Sequence, residues 1–128
     1  MTTRRMLLAA AGWLLVCPPA YAAEKATFTK DAFAAAQQQG ASILVHVNAP
    51  WCPTCRAQLP VLEKLEAAPK YANLKVFSVD FDSQKDAVRA LKANSQSTLI
   101  VFKGKQETGR LVGETDAKAI EALVDKAF

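Results

Sequence analysis

Near its start the chain carries an unbroken apolar run, "MLLAAAGWLLVC", and beyond residue 22 its apolar positions alternate between strand-like and helix-like spacing. "SILVHVNA" is nearly continuous in apolar residues, the pattern of a strand buried on both faces. "LKVFSVDFD" is a second β-rich run, and "STLIVFKGKQETGRLVG" reads as two strands joined in a hairpin at "KGK". Helices fall between them. Thr29 stands as an N-cap before "KDAFAAAQQQ", which Gly40 ends. A second helix should begin at or just after Cys52 and run to about Ala68, where Pro69 stops it, with Pro60 inside it as a kink. "SQKDAVRALKAN" reads as a short helix. Thr115 is expected to cap a last one, "DAKAIEALVDKAF", whose apolar face carries Ala119, Ile120, Leu123, Val124 and Ala127. The order helix, strand, helix, strand, helix, strand, strand, helix predicts an α/β protein. Its architecture is a three-layer α/β/α sandwich, with parallel crossovers and an antiparallel hairpin at one edge of a mixed sheet.

The first 22 residues do not fit that alternation. "MTTRR" is basic, the apolar run after it is short for a membrane span, and "PPAYAA" supplies helix breakers and an A-x-A arrangement at Ala20 and Ala22. Residues 1–22 are therefore expected to be a cleaved signal peptide, cut near Ala22, ahead of one domain over residues 23–128. An N-terminal membrane anchor is the alternative. "TRRMLL" partly matches a twin-arginine export signal, and Cys17 lies where a lipidated cysteine could sit, although Val16 is a poor residue before it. The expected location is the periplasm or another exported compartment.

Charge narrows the partners. The chain has 16 Lys and Arg against 12 Asp and Glu. Without residues 1–22 it loses Arg4 and Arg5, so 14 face 12 and the surplus is only +2. That is too small to argue for nucleic acid or a membrane surface. At 51% hydrophobic and 22% charged residues, the chain can build a globular core. It lacks a phosphate loop or a carboxylate pair.

The chemistry concentrates in "NAPWCPTCRAQLP". Of three cysteines only Cys52 and Cys55 remain after cleavage, and in an oxidising compartment such a pair is a disulfide unless something reduces it. At the start of a helix the free N–H groups and the helix dipole favour a thiolate on Cys52. Cys55, one turn further in, can attack a mixed disulfide on Cys52, giving nucleophile and resolver with no cofactor and no resident metal. Three other uses of the pair compete. An inert staple is a poor one, because so small a loop gains only about 2 kcal/mol against about 3 for fifteen residues. Zinc lacks partners, with His46 the only histidine and no second CxxC. A Cu(I) site needs only two thiolates, but no methionine remains to support it.

At these residues the chain resembles a known family. "ILVHVNAPWCPTCRAQLP" is similar to the active-site segment of thioredoxin-fold proteins: apolar strand, Ala-x-Trp-Cys approach, CxxC, and a proline five residues after the second cysteine. The resemblance covers about residues 25–128 and includes Asp82 and Gly113. It implies a thiol:disulfide oxidoreductase with Cys52 as nucleophile, Cys55 as resolver and Trp51 packed beside them. It also implies disulfide-bonded protein substrates. For an exported reductase, electrons would come from a membrane-bound donor, and a monomer is expected.

Three departures from the family stand out. Where it usually has a buried acid, six residues before the first cysteine, this chain has His46. An imidazole could move the resolving thiol's proton, or it could be a neutral histidine held by a backbone carbonyl. The lysine often paired with that acid is Ser78. Where the family has a cis-proline in a loop that faces the CxxC, pairs with substrate backbone and keeps metal off the thiols, this chain has Ser97 after Gln96. A cis bond before a non-proline costs about 2.5–4 kcal/mol, so a trans Gln96–Ser97 bond is expected. Between the cysteines, Pro53 fits the first helical turn but removes an N–H donor, while Thr54 adds a hydroxyl. These changes keep two other readings open, a periplasmic carrier of Cu(I) or zinc and a non-catalytic thioredoxin-fold binding module.

Overall fold

A computed structural model of the chain describes residue 16 and residues 22–128. The expected basic start, Cys17, Ala20 and the apolar run apart from Val16 lie outside the described residues. The described part contains strands β1 (Glu24–Thr27), β2 (Ser42–Asn48), β3 (Leu74–Asp80), β4 (Thr98–Lys103) and β5 (Gln106–Val112). Its helices are α1 (Lys30–Gln38), α2 (Pro53–Glu66), α3 (Lys85–Ala90) and α4 (Ala117–Asp125). The strands form one mixed sheet in the order β1-β3-β2-β4-β5. β1, β3 and β2 run parallel, and the β4–β5 hairpin joins β2 antiparallel at the other side.

Pleat parity sorts the core into two layers. Ile43, Val45 and Val47 of β2 meet Phe77, Val79, Ile100 and Phe102 on one face, under α1 and α3 through Phe33, Ala36 and Val88. Leu44, Leu74, Val76, Leu99 and Val101 point the other way, under Leu62 of α2 and Ile120, Leu123 and Val124 of α4. The continuous apolar run of β2 is thus explained by helices on both sides.

The structure departs from the sequence reading in three places. β1 is an additional strand. Its residues, Glu-Lys-Ala-Thr, are all exposed and carry no apolar alternation, and only backbone pairing to β3 makes it a strand. The cap of α4 is Asp116, whose carboxylate accepts from the Ala119 N–H at 2.9 Å, and not Thr115. The third helix is shorter than its pattern. Leu91 is its C-cap and Lys92 turns to φ 53°, where the Arg110 guanidinium donates to the Leu91 and Lys92 carbonyls at 2.7 and 3.0 Å.

The Thr29 cap is as expected, its hydroxyl accepting from the Ala32 N–H at 3.1 Å. α2 continues through Pro60. In the hairpin, Gly104 at φ 58° opens a two-residue turn, the position where a type II′ turn demands glycine.

The topology gathers four chain segments at one end of the sheet. The C-terminal ends of β2, β3 and β5 and the N-terminal end of β4 all lie there. Residues 49–52, 81–84, 93–97 and 113–116 therefore rim a common edge, and α2 starts from it.

Candidate active site

β2 ends at Asn48, and the chain turns at once into α2. The Cys52 N–H donates to the Ala49 carbonyl at 3.1 Å, closing the turn. Cys52 is itself the N-cap, with extended backbone, and its sulfur accepts from the Cys55 N–H at 3.1 Å. Pro53 occupies the first helical position, where the missing N–H leaves no gap in the ladder. Cys52 and Cys55 form a disulfide with their Cα atoms 5.3 Å apart. Both are buried, packed with Ala49 and against Phe81. When the bond is reduced, this N–H and the start of the helix dipole face the Cys52 sulfur and favour its thiolate.

The rim is polar and in part anchored. Trp51 is 53% exposed, and its indole N–H donates to the Asp82 carboxylate at 2.6 Å. The Arg56 guanidinium reaches the Trp51 carbonyl at 3.5 Å. The loop bearing Asp82 is held by Asp80, whose carboxylate accepts from the Asp82 and Ser83 N–H groups at 2.9 Å each. The Ser83 and Asp82 backbone bonds and Lys85 hold the Asp80 carboxyl below its ordinary range, against a smaller opposing effect of burial. Pro53 is exposed, and Thr54 and Gln96 are half-buried.

Beneath the disulfide the helix buries a polar residue that the motif does not announce. Cys55, Gln58 and Leu62 form the buried stripe of α2, and Gln58 is fully buried. Its amide nitrogen donates to the Ser97 carbonyl at 3.2 Å and the Glu114 carbonyl at 2.9 Å. That leaves its amide oxygen toward His46 Nε2, 3.0 Å away. An amide oxygen only accepts, so Nε2 carries the proton and Nδ1 is the lone-pair nitrogen. Burial lowers the His46 pKa from 6.5 to about 4, outweighing the Gln58 hydrogen bond that raises it. His46 is thus neutral at pH 7, and it is held by a side-chain amide, not by the backbone carbonyl envisaged from sequence. A protonated imidazole is not what favours the Cys52 thiolate. The same face of the sheet turns polar toward this edge, with Asn48 donating to Ser78 Oγ at 2.8 Å.

The structure brings Ser97 to this network. Thr98 pairs with Val47, so Ser97 enters the sheet beside the last residues of β2. Its peptide bond is trans, as are all those among the described residues, and its φ is 56°. For a serine the left-handed region costs about 1 kcal/mol, because Cβ approaches the carbonyl oxygen. The turn is tied down by four contacts. The Ser97 hydroxyl donates to the Gln96 carbonyl at 2.6 Å, and the Thr98 hydroxyl to the Ser95 carbonyl at 2.8 Å. The Ser97 carbonyl accepts from the Gly113 N–H at 2.9 Å as well as from Gln58. Of the sequence-derived site residues, Cys52 and Cys55 pack together, Trp51 and Pro53 flank them on the outside, and His46 and Ser97 meet through Gln58.

A pH dependence follows from His46. Its folded pKa lies below the unfolded one, so the unfolded chain binds the extra proton between pH 6.5 and about 4. Stability is greatest above pH 6.5 and falls as pH drops through that window, by about 3 kcal/mol for the full shift. Urea denaturation at pH 7.5 and pH 4 should show this loss, and a His46→Leu variant should lose correspondingly less. Equal losses in both proteins would remove the histidine from the account.

Among the described residues there is no group of three or more His, Cys, Asp or Glu side chains placed to hold a metal ion. A metal at this site would have to rest on the two thiolates.

Comparison with known proteins agrees with the geometry. The family model described as Thioredoxin matches residues 24–126. The thioredoxin Asp f 29 of Aspergillus fumigatus is 28% identical over 101 residues, 79% of this chain and 91% of that one. A thioredoxin of Chlamydia trachomatis is 33% identical over 84 residues, 66% of this chain and 80% of the other. Among solved structures, Trxlp from Edwardsiella tarda superposes with a TM-score of 0.76 at 40% identity, covering 78% of this chain and 98% of that one.

Proposed function

This chain belongs to the thioredoxin family and is a thiol:disulfide oxidoreductase, and from that premise we propose that it works outside the cytoplasm as a reductase of protein disulfides, with Cys52 as the attacking thiol. The observation that carries the assignment of roles is the Cys55 N–H directed at the Cys52 sulfur at the first turn of α2. That donor stabilises negative charge on Cys52, whereas Cys55 lies one turn inside the helix. The Cys52 thiolate attacks one sulfur of a substrate disulfide, forming a mixed disulfide and expelling the other sulfur as a thiolate. Cys55, losing its proton, then attacks the Cys52 sulfur. The second substrate sulfur leaves as a thiolate, and the Cys52–Cys55 disulfide forms. Two electrons have passed to the substrate, and a donor dithiol must return them.

Export is supported by the basic start, the apolar run and the Ala20–Ala22 cleavage pattern. In an oxidising compartment the pair needs a dedicated source of electrons, which a membrane-bound dithiol donor would supply. In this reading the protein acts as a monomer that meets its substrates one at a time.

The test is an equilibrium titration of the protein from residue 23 in glutathione redox buffers. Trp51, its sole tryptophan, serves as the optical reporter beside Cys52. A reversible two-electron transition is expected. A protein that shows none would shift the reading to a non-catalytic binding module, and one that holds one metal ion per chain through both thiols after purification would shift it to a carrier.

A further inference from the structure

We propose that Gln58 is a positioning residue of this site: its buried amide latches the cysteine-bearing helix to the Ser97 turn and so holds that turn in the shape that receives a substrate chain. This rests on the oxidoreductase reading and extends it to how a substrate is met. The latch has three arms, all buried or nearly so. Two reach backbone carbonyls of different loops, Ser97 at 3.2 Å and Glu114 at 2.9 Å, and the third accepts from His46 of β2. One side chain thus ties α2, the central strand and two rim segments together.

The turn's own hydroxyls, Ser97 to the Gln96 carbonyl and Thr98 to the Ser95 carbonyl, brace it locally, but no glycine relieves its left-handed residue, so a tie from outside the turn matters. Ser97 sits at φ 56° with a trans peptide bond, a region that glycine enters freely and serine does not. The Ser97 carbonyl, gripped by Gln58 on one side and by the Gly113 N–H on the other, is the atom that fixes the turn. The disulfide is itself buried, at 2% exposure for each cysteine. A protein substrate must therefore settle on the rim, and residues 93–97 and 113–116 are two of its four segments. A displaced turn would weaken docking more than it would slow exchange between sulfurs.

The double variant His46→Leu/Gln58→Leu removes the latch while replacing the facing polar pair by an apolar one, which limits the number of orphaned buried groups. Two readouts are taken on the folded variant. The Gly113 amide should exchange with solvent at least about tenfold faster than in the wild type, the loss expected for one or two hydrogen bonds. The KM for a protein disulfide should rise about tenfold, with kcat changed by less than about threefold. Adding Ser97→Gly, which occupies the left-handed region without a Cβ, should recover at least half of the KM loss. Wild-type Gly113 protection and wild-type KM in the double variant would overturn the latch. So would a loss confined to kcat, or the absence of any recovery with glycine. If the wild type itself lacked the two-electron transition, the oxidoreductase reading would fall, and Gly113 exchange alone would still decide whether Gln58 holds the turn.

Discussion

Cys52→Ser should lower the rate of protein-disulfide reduction by at least about a thousandfold, the scale seen when a covalent nucleophile is removed. The reason is chemical, since the attacking species is a thiolate and a serine hydroxyl is not ionised near neutral pH. The helix N-terminus that favours a sulfur anion would gain only a neutral hydrogen-bond acceptor, and serine is a good N-cap, so the fold should persist. Cys55→Ser should behave differently. It leaves the first attack intact and blocks the second, so a mixed disulfide between Cys52 and the substrate accumulates and can be isolated on a non-reducing gel. The pair of variants thus separates the two roles. Reduction that persists in Cys52→Ser, or a mixed disulfide trapped on Cys55 instead, would reverse the assignment.

Leu62→Ala should destabilise the protein by about 2–5 kcal/mol, measured as a lower urea midpoint at unchanged slope. Leu62 is 1% exposed and packs among Leu44, Leu99, Ile120 and Val124, so its loss opens a cavity between α2 and the sheet with little room to collapse. It lies one turn beyond Gln58 on the same buried stripe. The effect should be on stability, with the redox transition of the folded protein preserved, because Leu62 touches neither thiol nor rim. A change below about 1 kcal/mol would mean that α2 is held chiefly by its polar latch and its first turn, and not by this apolar layer.

Much of this could be read from residue order alone. The β2 run between two turn signals, the cysteine at its end and the proline after it predict a strand that stops where a helix starts. Backbone geometry then leaves Cys52 at the N-cap. The two apolar layers follow from period-2 spacing in β2 and the helical spacing in α2 and α4. These are local matters, in which each residue's neighbours in sequence are also its neighbours in space. β1 was hidden because its four exposed residues carry no pattern, and it becomes a strand only when β3 is beside it. Asp116 and Thr115 are both competent caps in sequence, and it is Asp116 whose extended backbone precedes the first helical residue and whose carboxylate meets the Ala119 N–H.

The sequence by itself determined the chemistry: two thiols one helical turn apart at a helix start, within a sheet covered on both faces. It also showed that His46 and Ser97 stand where the family has other residues. Only the tertiary structure decided what those two do. His46 is neutral because burial withdraws the water that would stabilise its charge. Ser97 is held left-handed by a partner 39 positions earlier in the chain, Gln58, whose neighbours in sequence give no sign of that role. Its meaning arises only where α2, β2 and the two rim loops converge, since a buried amide must find all its partners at once and those partners are scattered along the chain.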